Sequence, residues 1–197
     1  MDKVSRFFLK NNGYARMHDL KSAGLHTREV ASAVQQGIIE KFAPGWYKLS
    51  NYNWDEFSSF TDLTVVRRDT VICLESAAEY HGLTTYNPRV VTAAIPRGTR
   101  KFSLIYPPVR IHFFSQDQYK TGILKAQGNS GQFSVYSMEK TIVDLFRYRN
   151  KIGYDLILET LRSYLNRKDR NINLLTEYAK QFRVYNEIFS YIQAMMV

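Results

Sequence analysis

The stretch from Thr27 to Leu49, TREVASAVQQGIIEKFAPGWYKL, constrains the fold of this chain more than any other. Thr27 is a good N-cap, because its side-chain oxygen can accept a hydrogen bond from a first-turn N–H. Gly37 can end the helix, since it adopts positive φ without a Cβ clash. Four small or apolar residues recur at helical spacing and predict a narrow buried face: Val30, Ala33, Val34 and Gly37.

Two short runs rich in branched and aromatic residues follow the predicted helix, Ile38–Phe42 and Trp46–Leu49. Between them stand Pro44 and Gly45. Proline fixes φ and glycine supplies the positive φ that a type II turn requires. The sequence therefore predicts a helix followed directly by a short hairpin.

The face of the predicted helix opposite the apolar residues is polar. Arg28, Ser32 and Gln35 recur at i, i+4 and i+7, with Gln36 beside them. Such side chains can hydrogen-bond base edges in the major groove of DNA. We predict a DNA-recognition helix, with further DNA contacts from Arg16, Lys21, Thr27, Lys41 and Lys48. The alternative is a helix–hairpin unit that contacts another protein, because a fold does not dictate its function.

The elements before this stretch complete a recognisable order. Residues 2–11 and 18–23 predict two short helices, and residues 14–16 a short extended segment. Helix, helix, turn, helix and hairpin in succession are the layout of a winged helix-turn-helix. Its predicted core consists of Val4, Phe7, Phe8, Leu20, Leu25, Val30, Val34, Ile38, Tyr47 and Leu49.

The rest of the chain predicts a mixture of helices and strands. Strand-like runs occupy residues 89–95, 109–114 and 133–136, and helical patterns occupy 60–68, 72–81, 138–150, 154–165, 174–183 and 187–196. The predicted fold class is α+β: a winged helix-turn-helix over residues 1–56, then a mixed strand-and-helix domain over 57–197 that ends in a helical array.

Charge favours a polyanionic partner. The chain carries a net charge of +9 with a pI near 9.6, which suits nucleic acid first and acidic membranes second. Residues 1–50 hold eight basic and four acidic side chains, so the N-terminal part is the more densely basic. No apolar window is long enough to span a membrane, and the first residues do not resemble a secretory signal. The single cysteine suits a reducing cytosol, so we expect a cytoplasmic protein.

The sequence shows little that suggests an enzyme. Its four histidines have no zinc-like spacing, and Cys73 in VICL fits a small buried hydrophobe better than a nucleophile. We predict no catalytic residue, no cofactor and no metal site. The alternative is a nuclease or another nucleic-acid-modifying enzyme, in which Glu75 and Glu79, one helical turn apart, hold a divalent metal with Asp117.

Two basic clusters, residues 97–101 and 147–151, allow two interpretations. Each cluster forms either a solvated face or a second nucleic-acid surface.

Four motifs carry a resemblance to a known family: YARMHDLKSAG, GIIEKFAPGWYKL, ICLESAAEYHGL and YSMEKTIVDLFRYRNKIG. Over nearly its whole length the chain resembles the AbiEi family, the antitoxins of type IV, abortive-infection toxin–antitoxin systems that act in phage defence. The resemblance implies a winged helix-turn-helix that represses the antitoxin–toxin promoter. It also implies a C-terminal domain that helps neutralise a nucleotidyltransferase-like toxin without forming a stable complex with it.

Carried over by position, the family's DNA contacts fall on Arg28, Ser32, Gln35, Gln36, Lys41 and Lys48. The resemblance assigns no toxin-neutralising role to a named C-terminal residue.

Overall fold

The computed structural model describes residues 2–195, which divide between two compact units. The first unit takes in the chain up to residue 69 together with residues 100–109 and 126–133. The second takes in residues 70–99 and 110–125 and the chain from residue 134 onward. The domain boundary predicted at residue 56 therefore falls inside the first unit.

The first unit contains both helices and strands. Up to residue 69 they are α1 (Lys3–Lys10), β1 (Tyr14–Arg16), α2 (Met17–Ser22), α3 (Thr27–Gln35), β2 (Ile39–Ala43), β3 (Trp46–Leu49) and α4 (Ser58–Val66). Each element predicted in this part of the chain is present. Asp2 starts α1, because its carboxylate accepts a hydrogen bond of 2.7 Å from the Ser5 N–H.

The three strands form an antiparallel sheet in the order β1-β3-β2. Side chains alternate across a strand, so Ala15 and Tyr47 point to one face of this sheet, and Tyr14 and Trp46 to the other. On the first face they join side chains of α1, α2 and α3 in one core: Val4, Phe8, Ala15, Leu20, Leu25, Val30, Ala33, Ile39, Tyr47 and Leu49. On the second face lie Tyr14, Phe42 and Ala43, with Trp46, Trp54, Val65, Val66 and Leu104 packed against them.

The N-terminal end of α3 differs from the prediction. His26 has extended backbone angles and is the N-cap, so the expectation that Thr27 caps the helix is wrong. The carboxylate of Glu29, in the first turn, accepts the His26 N–H at 2.7 Å and satisfies a backbone donor at this end of the helix.

The C-terminal end of α3 confirms the role of Gly37. This residue has φ +69° and donates its N–H to the Val34 carbonyl at 3.0 Å, while the Ile38 N–H reaches the Ala33 carbonyl at 2.9 Å. The buried face is narrower than predicted, because Val30 and Ala33 alone are buried on α3. Successive helical residues are about 100° apart, so Val34 lies on the flank of this stripe and is 37% exposed.

The second unit contains most of a five-stranded sheet in the order β6-β5-β4-β8-β7. The elements after residue 69 are β4 (Val71–Ile72), α5 (Leu74–Tyr80), β5 (Val91–Pro96), β6 (Val109–Phe114), α6 (Gln116–Lys120), β7 (Ile123–Gly128), β8 (Gly131–Tyr136), α7 (Met138–Arg147), α8 (Arg149–Ile152), α9 (Tyr154–Leu165), α10 (Ile172–Gln181) and α11 (Tyr185–Met195). The end of β7 and the start of β8 belong to the first unit. Strand β4 pairs antiparallel with β5 and parallel with β8. The fold class is α+β, as predicted.

The core of the second unit includes a buried ion pair. Ile142, Leu145 and Phe146 of α7 are buried. Lys140 and Asp144, one turn apart on the same helix, are also fully buried and pair with each other. Burial lowers the pKa of Lys140 and raises the pKa of Asp144, and their mutual attraction opposes both shifts.

Within residues 2–195 no helix is long and apolar enough to cross a membrane. The last predicted helix was placed over residues 187–196, and its final residue, Met196, lies outside the described residues.

Candidate nucleic-acid interface

The outer face of α3 carries the polar side chains that the sequence predicts to contact DNA. Arg28, Ser32, Gln35 and Gln36 are all exposed. The Gln36 side-chain amide donates to the Ser32 hydroxyl at 3.1 Å, which orients two of these groups relative to each other. The helix thus presents one exposed cation and three exposed hydrogen-bonding groups on the side away from its core.

A groove of about 440 Å³ runs along one flank of this face. Arg28, Ser32 and Gln36 line it from α3, and Asp2 and Lys3 line it at the start of α1. Hydrogen bonds from Ser5 lower the pKa of the Asp2 carboxyl, so this group is ionised at neutral pH. This negative charge disfavours a phosphate on that flank, whereas Gln35 lies on the side of the helix away from it.

Three of the other predicted contacts are open to solvent. Lys21, Thr27 and Lys41 are exposed, and neither lysine forms an ion pair with another described residue. Arg16 is exposed as well, and its guanidinium carbon lies 4.8 Å from the centroid of the Trp46 ring. This cation–π contact restrains the Arg16 side chain beside the hairpin turn.

Lys48 is placed differently from what the sequence predicted. Only 8% of the residue is exposed, and its ammonium lies 2.8 Å from an Asp62 carboxylate oxygen and 3.4 Å from a Glu40 oxygen. It also lies over the rings of Trp54 and Phe42, at 5.1 and 5.5 Å from their centroids. The prediction that Lys48 contacts DNA is therefore wrong, because its ammonium is buried and its charge is neutralised within the fold.

Asp62 also binds Tyr14, the residue of the edge strand β1 that lies directly opposite Lys48. Its second carboxylate oxygen accepts a hydrogen bond of 2.8 Å from the Tyr14 hydroxyl. Burial raises the pKa of Asp62, while the charge and hydrogen bond of Lys48 oppose that rise. The same burial, together with the negative charge of Asp62, raises the pKa of Tyr14. The three side chains join β1, β3 and α4 through a buried polar network.

Sequence reasoning missed this network, although one signal for it was present. Lys48 occupies the same alternating position on β3 as Trp46, and large aromatic residues (Phe42, Trp46, Trp54) lie close by in the chain. A sheet face with this many aromatic residues is covered rather than solvated. A lysine on such a face requires a buried acidic partner, and the sequence offered no indication of which acid that is.

The alternative metal site is not formed. Across the described part of the chain, no group of three or more His, Cys, Asp or Glu side chains is arranged to hold a metal ion. Glu75 is largely buried and lies 3.5 Å from the guanidinium of Arg110, whereas Asp117 is exposed. Cys73 is fully buried, and burial raises the pKa of its thiol, so it has the character of a small hydrophobe.

The basic cluster at residues 147–151 makes contacts within the second unit. Arg147 lies 4.0 Å from the Asp144 carboxylate and over the Phe182 ring, and Arg149 pairs with Glu187. These charges are partly satisfied by the fold.

Comparison with known proteins yields a fold relationship. No protein-family model matches the chain, and no curated protein matches it either. Among solved structures, it is similar to the crystal structure of the RV2827C protein from Mycobacterium tuberculosis, with a TM-score of 0.60 and 13% sequence identity. The match covers 90% of this chain and 70% of that one. At this identity the similarity extends to the fold alone.

Proposed function

We propose that the chain binds double-stranded DNA through a winged helix-turn-helix formed by its first unit, and that it represses its own operon. Support comes from the order of α1, β1, α2, α3 and the β2–β3 hairpin, with β1 pairing on β3, which is the order of that motif. The observation that carries the proposal is the exposed polar face of α3, with Arg28, Ser32, Gln35 and Gln36 free of the core.

In this proposal α3 enters the major groove and its side chains contact base edges. Arg28 can donate two hydrogen bonds to guanine, and Gln35 can both donate to and accept from adenine. Lys21, Lys41 and Arg16 contact phosphates on either side and hold the helix in register. The net charge of +9 contributes attraction that does not depend on sequence.

A gel shift with the promoter fragment tests the assignment. Arg28→Ala and Gln35→Ala should each weaken operator binding by about 1–3 kcal/mol and relax base preference, because each removes a base-edge contact. Lys41→Ala should weaken binding to all sequences alike and reduce the salt dependence by about one unit of slope.

Arg28→Lys is the matched control for charge. Lysine keeps the positive charge but lacks the planar fork of arginine, so this variant should bind unspecific DNA like the unaltered protein and still lose base preference. Unchanged operator affinity in Arg28→Ala, Gln35→Ala and Lys41→Ala would refute the assignment. Failure to bind any duplex at low salt would favour a protein-contact role instead.

We further propose that the chain is a cytoplasmic antitoxin of a type IV toxin–antitoxin system. This rests on the resemblance to the AbiEi family, and the partner is a nucleotidyltransferase-like toxin with which it forms no stable complex. Co-expression with the toxin encoded beside it tests the proposal: the unaltered chain should restore growth. Arg28→Ala should also restore growth from an independent promoter, because toxin neutralisation is assigned to the C-terminal domain. Failure of the unaltered chain to protect would overturn the antitoxin role and leave DNA binding intact.

A further inference from the structure

A long stretch of the chain contains cations without any acid. Between Glu79 and Asp117 there is no Asp or Glu, but there are five basic residues: Arg89, Arg97, Arg100, Lys101 and Arg110. The middle of this stretch, residues 100–109 (RKFSLIYPPV), belongs to the first unit. We call residues 100–106 the strap.

One end of the strap is fixed to the hairpin. The Ile105 N–H donates to the Phe42 carbonyl of β2 at 2.8 Å, and the Tyr106 N–H points to the same oxygen at 3.4 Å. Leu104 packs into the aromatic cluster on the sheet face that α3 does not cover. The strap is therefore held against β2 at Phe42 by backbone contacts, and Leu104 adds side-chain packing.

The other end is fixed by an arginine of the segment that follows α4. The Arg67 guanidinium donates to the Arg100 carbonyl and lies 5.6 Å from the centroid of the Phe102 ring. With its backbone held, the strap leaves the side chains of Arg100 and Lys101 exposed, and neither forms an ion pair with another described residue.

The strap also exposes large apolar groups that stay uncovered within the unit. Ile105 is 60% exposed and Tyr106 is 68% exposed. Proteins that bind the minor groove combine basic side chains with apolar side chains that insert between base steps, and the strap exposes both kinds of side chain. An acidic protein would also bind cations. The absence of any acidic residue over this stretch favours DNA, because its backbone is uniformly anionic.

We infer that the strap is a second DNA-contacting element, which binds the backbone of the same duplex that α3 reads. The inference rests on the proposed DNA-binding function. Helix α3 packs on one face of the three-stranded sheet and the strap on the other, so the β2–β3 hairpin lies between them. Because the two elements lie on opposite faces of the sheet, DNA that contacts both must pass around this hairpin. In the proposal, Arg100 and Lys101 neutralise phosphates beyond the hairpin.

The double variant Arg100→Ala/Lys101→Ala tests the inference on a long operator duplex. The slope of log affinity against log salt should fall by about two, because two phosphate contacts are lost. Hydroxyl-radical protection should disappear at one end of the footprint, while base preference at the centre stays unchanged. On a duplex trimmed of that flank, the variant and the unaltered protein should bind equally.

The matched control is Arg162→Ala/Lys168→Ala, which removes the same two charge types from exposed positions of the second unit. Equal loss of affinity in this control would show that net charge, rather than the strap, is responsible. A strap variant that binds and protects like the unaltered protein would overturn the inference, while Arg28→Ala still reports on α3. If the unaltered protein binds no duplex, the proposed function and the strap contact fail together. Unchanged melting temperatures confirm that both double variants are folded.

Discussion

Among the residues predicted to contact DNA, Lys48 is the one whose predicted role changes most because it is buried. Its ammonium is enclosed by Asp62, Glu40 and two aromatic rings, so it stabilises the first unit rather than binding DNA. Removing one partner of a buried pair leaves the other charge uncompensated, which typically costs more than the pair itself contributes.

We predict that Lys48→Ala lowers the free energy of unfolding by about 3–5 kcal/mol, the usual cost of breaking a buried ion pair. Urea denaturation of the full chain measures this loss. The double variant Lys48→Met/Asp62→Asn should recover most of it, because no charge remains buried and the Tyr14 hydroxyl keeps an acceptor. Lys41→Ala, on the exposed part of β2, should leave stability nearly unchanged. A Lys48→Ala protein as stable as the unaltered one would contradict the burial argument.

His112 gives the second unit a dependence on pH. Burial lowers the pKa of this imidazole from 6.5 to about 4, and the positive charges of Arg110 and Lys151 act in the same direction. Its ring lies edge-on to Tyr148, with 5.2 Å between the centroids, and its Nε2 atom is buried without a hydrogen-bond partner. The folded state therefore holds the neutral form.

Because the pKa of His112 is lower in the folded state than in the unfolded state, its stabilising contribution is present above pH 6.5. It is lost as the pH falls from 6.5 toward 4. We predict that His112→Phe flattens the fall in unfolding free energy over this window, as measured by urea denaturation at several pH values. A residual slope is expected from His81, whose pKa burial also lowers. An identical slope in the variant would contradict the assignment to His112.

At the scale of elements, α3 and its hairpin show which signals in the sequence are local. Gly37 ends α3 because positive φ is a property of one residue and its neighbours. The Pro44–Gly45 turn likewise joins β2 and β3, with Gly45 at φ +73°. Both features were predictable, since neither depends on a distant part of the chain.

The buried face of α3 was less predictable than its ends. Periodicity marked both Ala33 and Val34 as inward, yet only Ala33 is buried, and Val34 is 37% exposed. Ile39 lies in the core, where Ile38 was predicted. Which flank of a helix faces the core depends on how the helix packs on its neighbours. The spacing of apolar residues alone does not decide which of two adjacent positions is buried. Arg28, Ser32 and Gln35 lie on the side of the helix opposite Val30. They are therefore exposed where Val30 is buried.

At the scale of the whole molecule, the first unit is assembled from three separate parts of the chain. Residues 126–133 return to it, where Asp55 accepts the Asn129 N–H at 2.6 Å and Phe133 packs against Phe57 and Phe60. The strap covers another part of the same unit. A continuous segment ending at residue 56 therefore lacks several of its own contacts.

We predict that the isolated fragment 1–56 fails to fold cooperatively. It lacks Asp62, the partner of Lys48, and it exposes the aromatic face around Tyr14, Phe42 and Trp54. Thermal unfolding followed by circular dichroism should show no sigmoidal transition for the fragment, whereas the full chain should show one. A fragment 1–56 that melts cooperatively would mean that the later segments are accessories to a self-sufficient domain.

The sequence by itself determined the α+β class, the order of elements in the first 50 residues and the polar face of α3. These follow from propensities and periodicities that act within a few residues. Only the tertiary structure decided that Lys48 is buried against Asp62, that the strap contacts β2 at Phe42, and that residues 126–133 belong with the first unit. Such pairings join residues far apart in the chain, and they depend on which surfaces are covered when the elements pack, which local spacing does not encode.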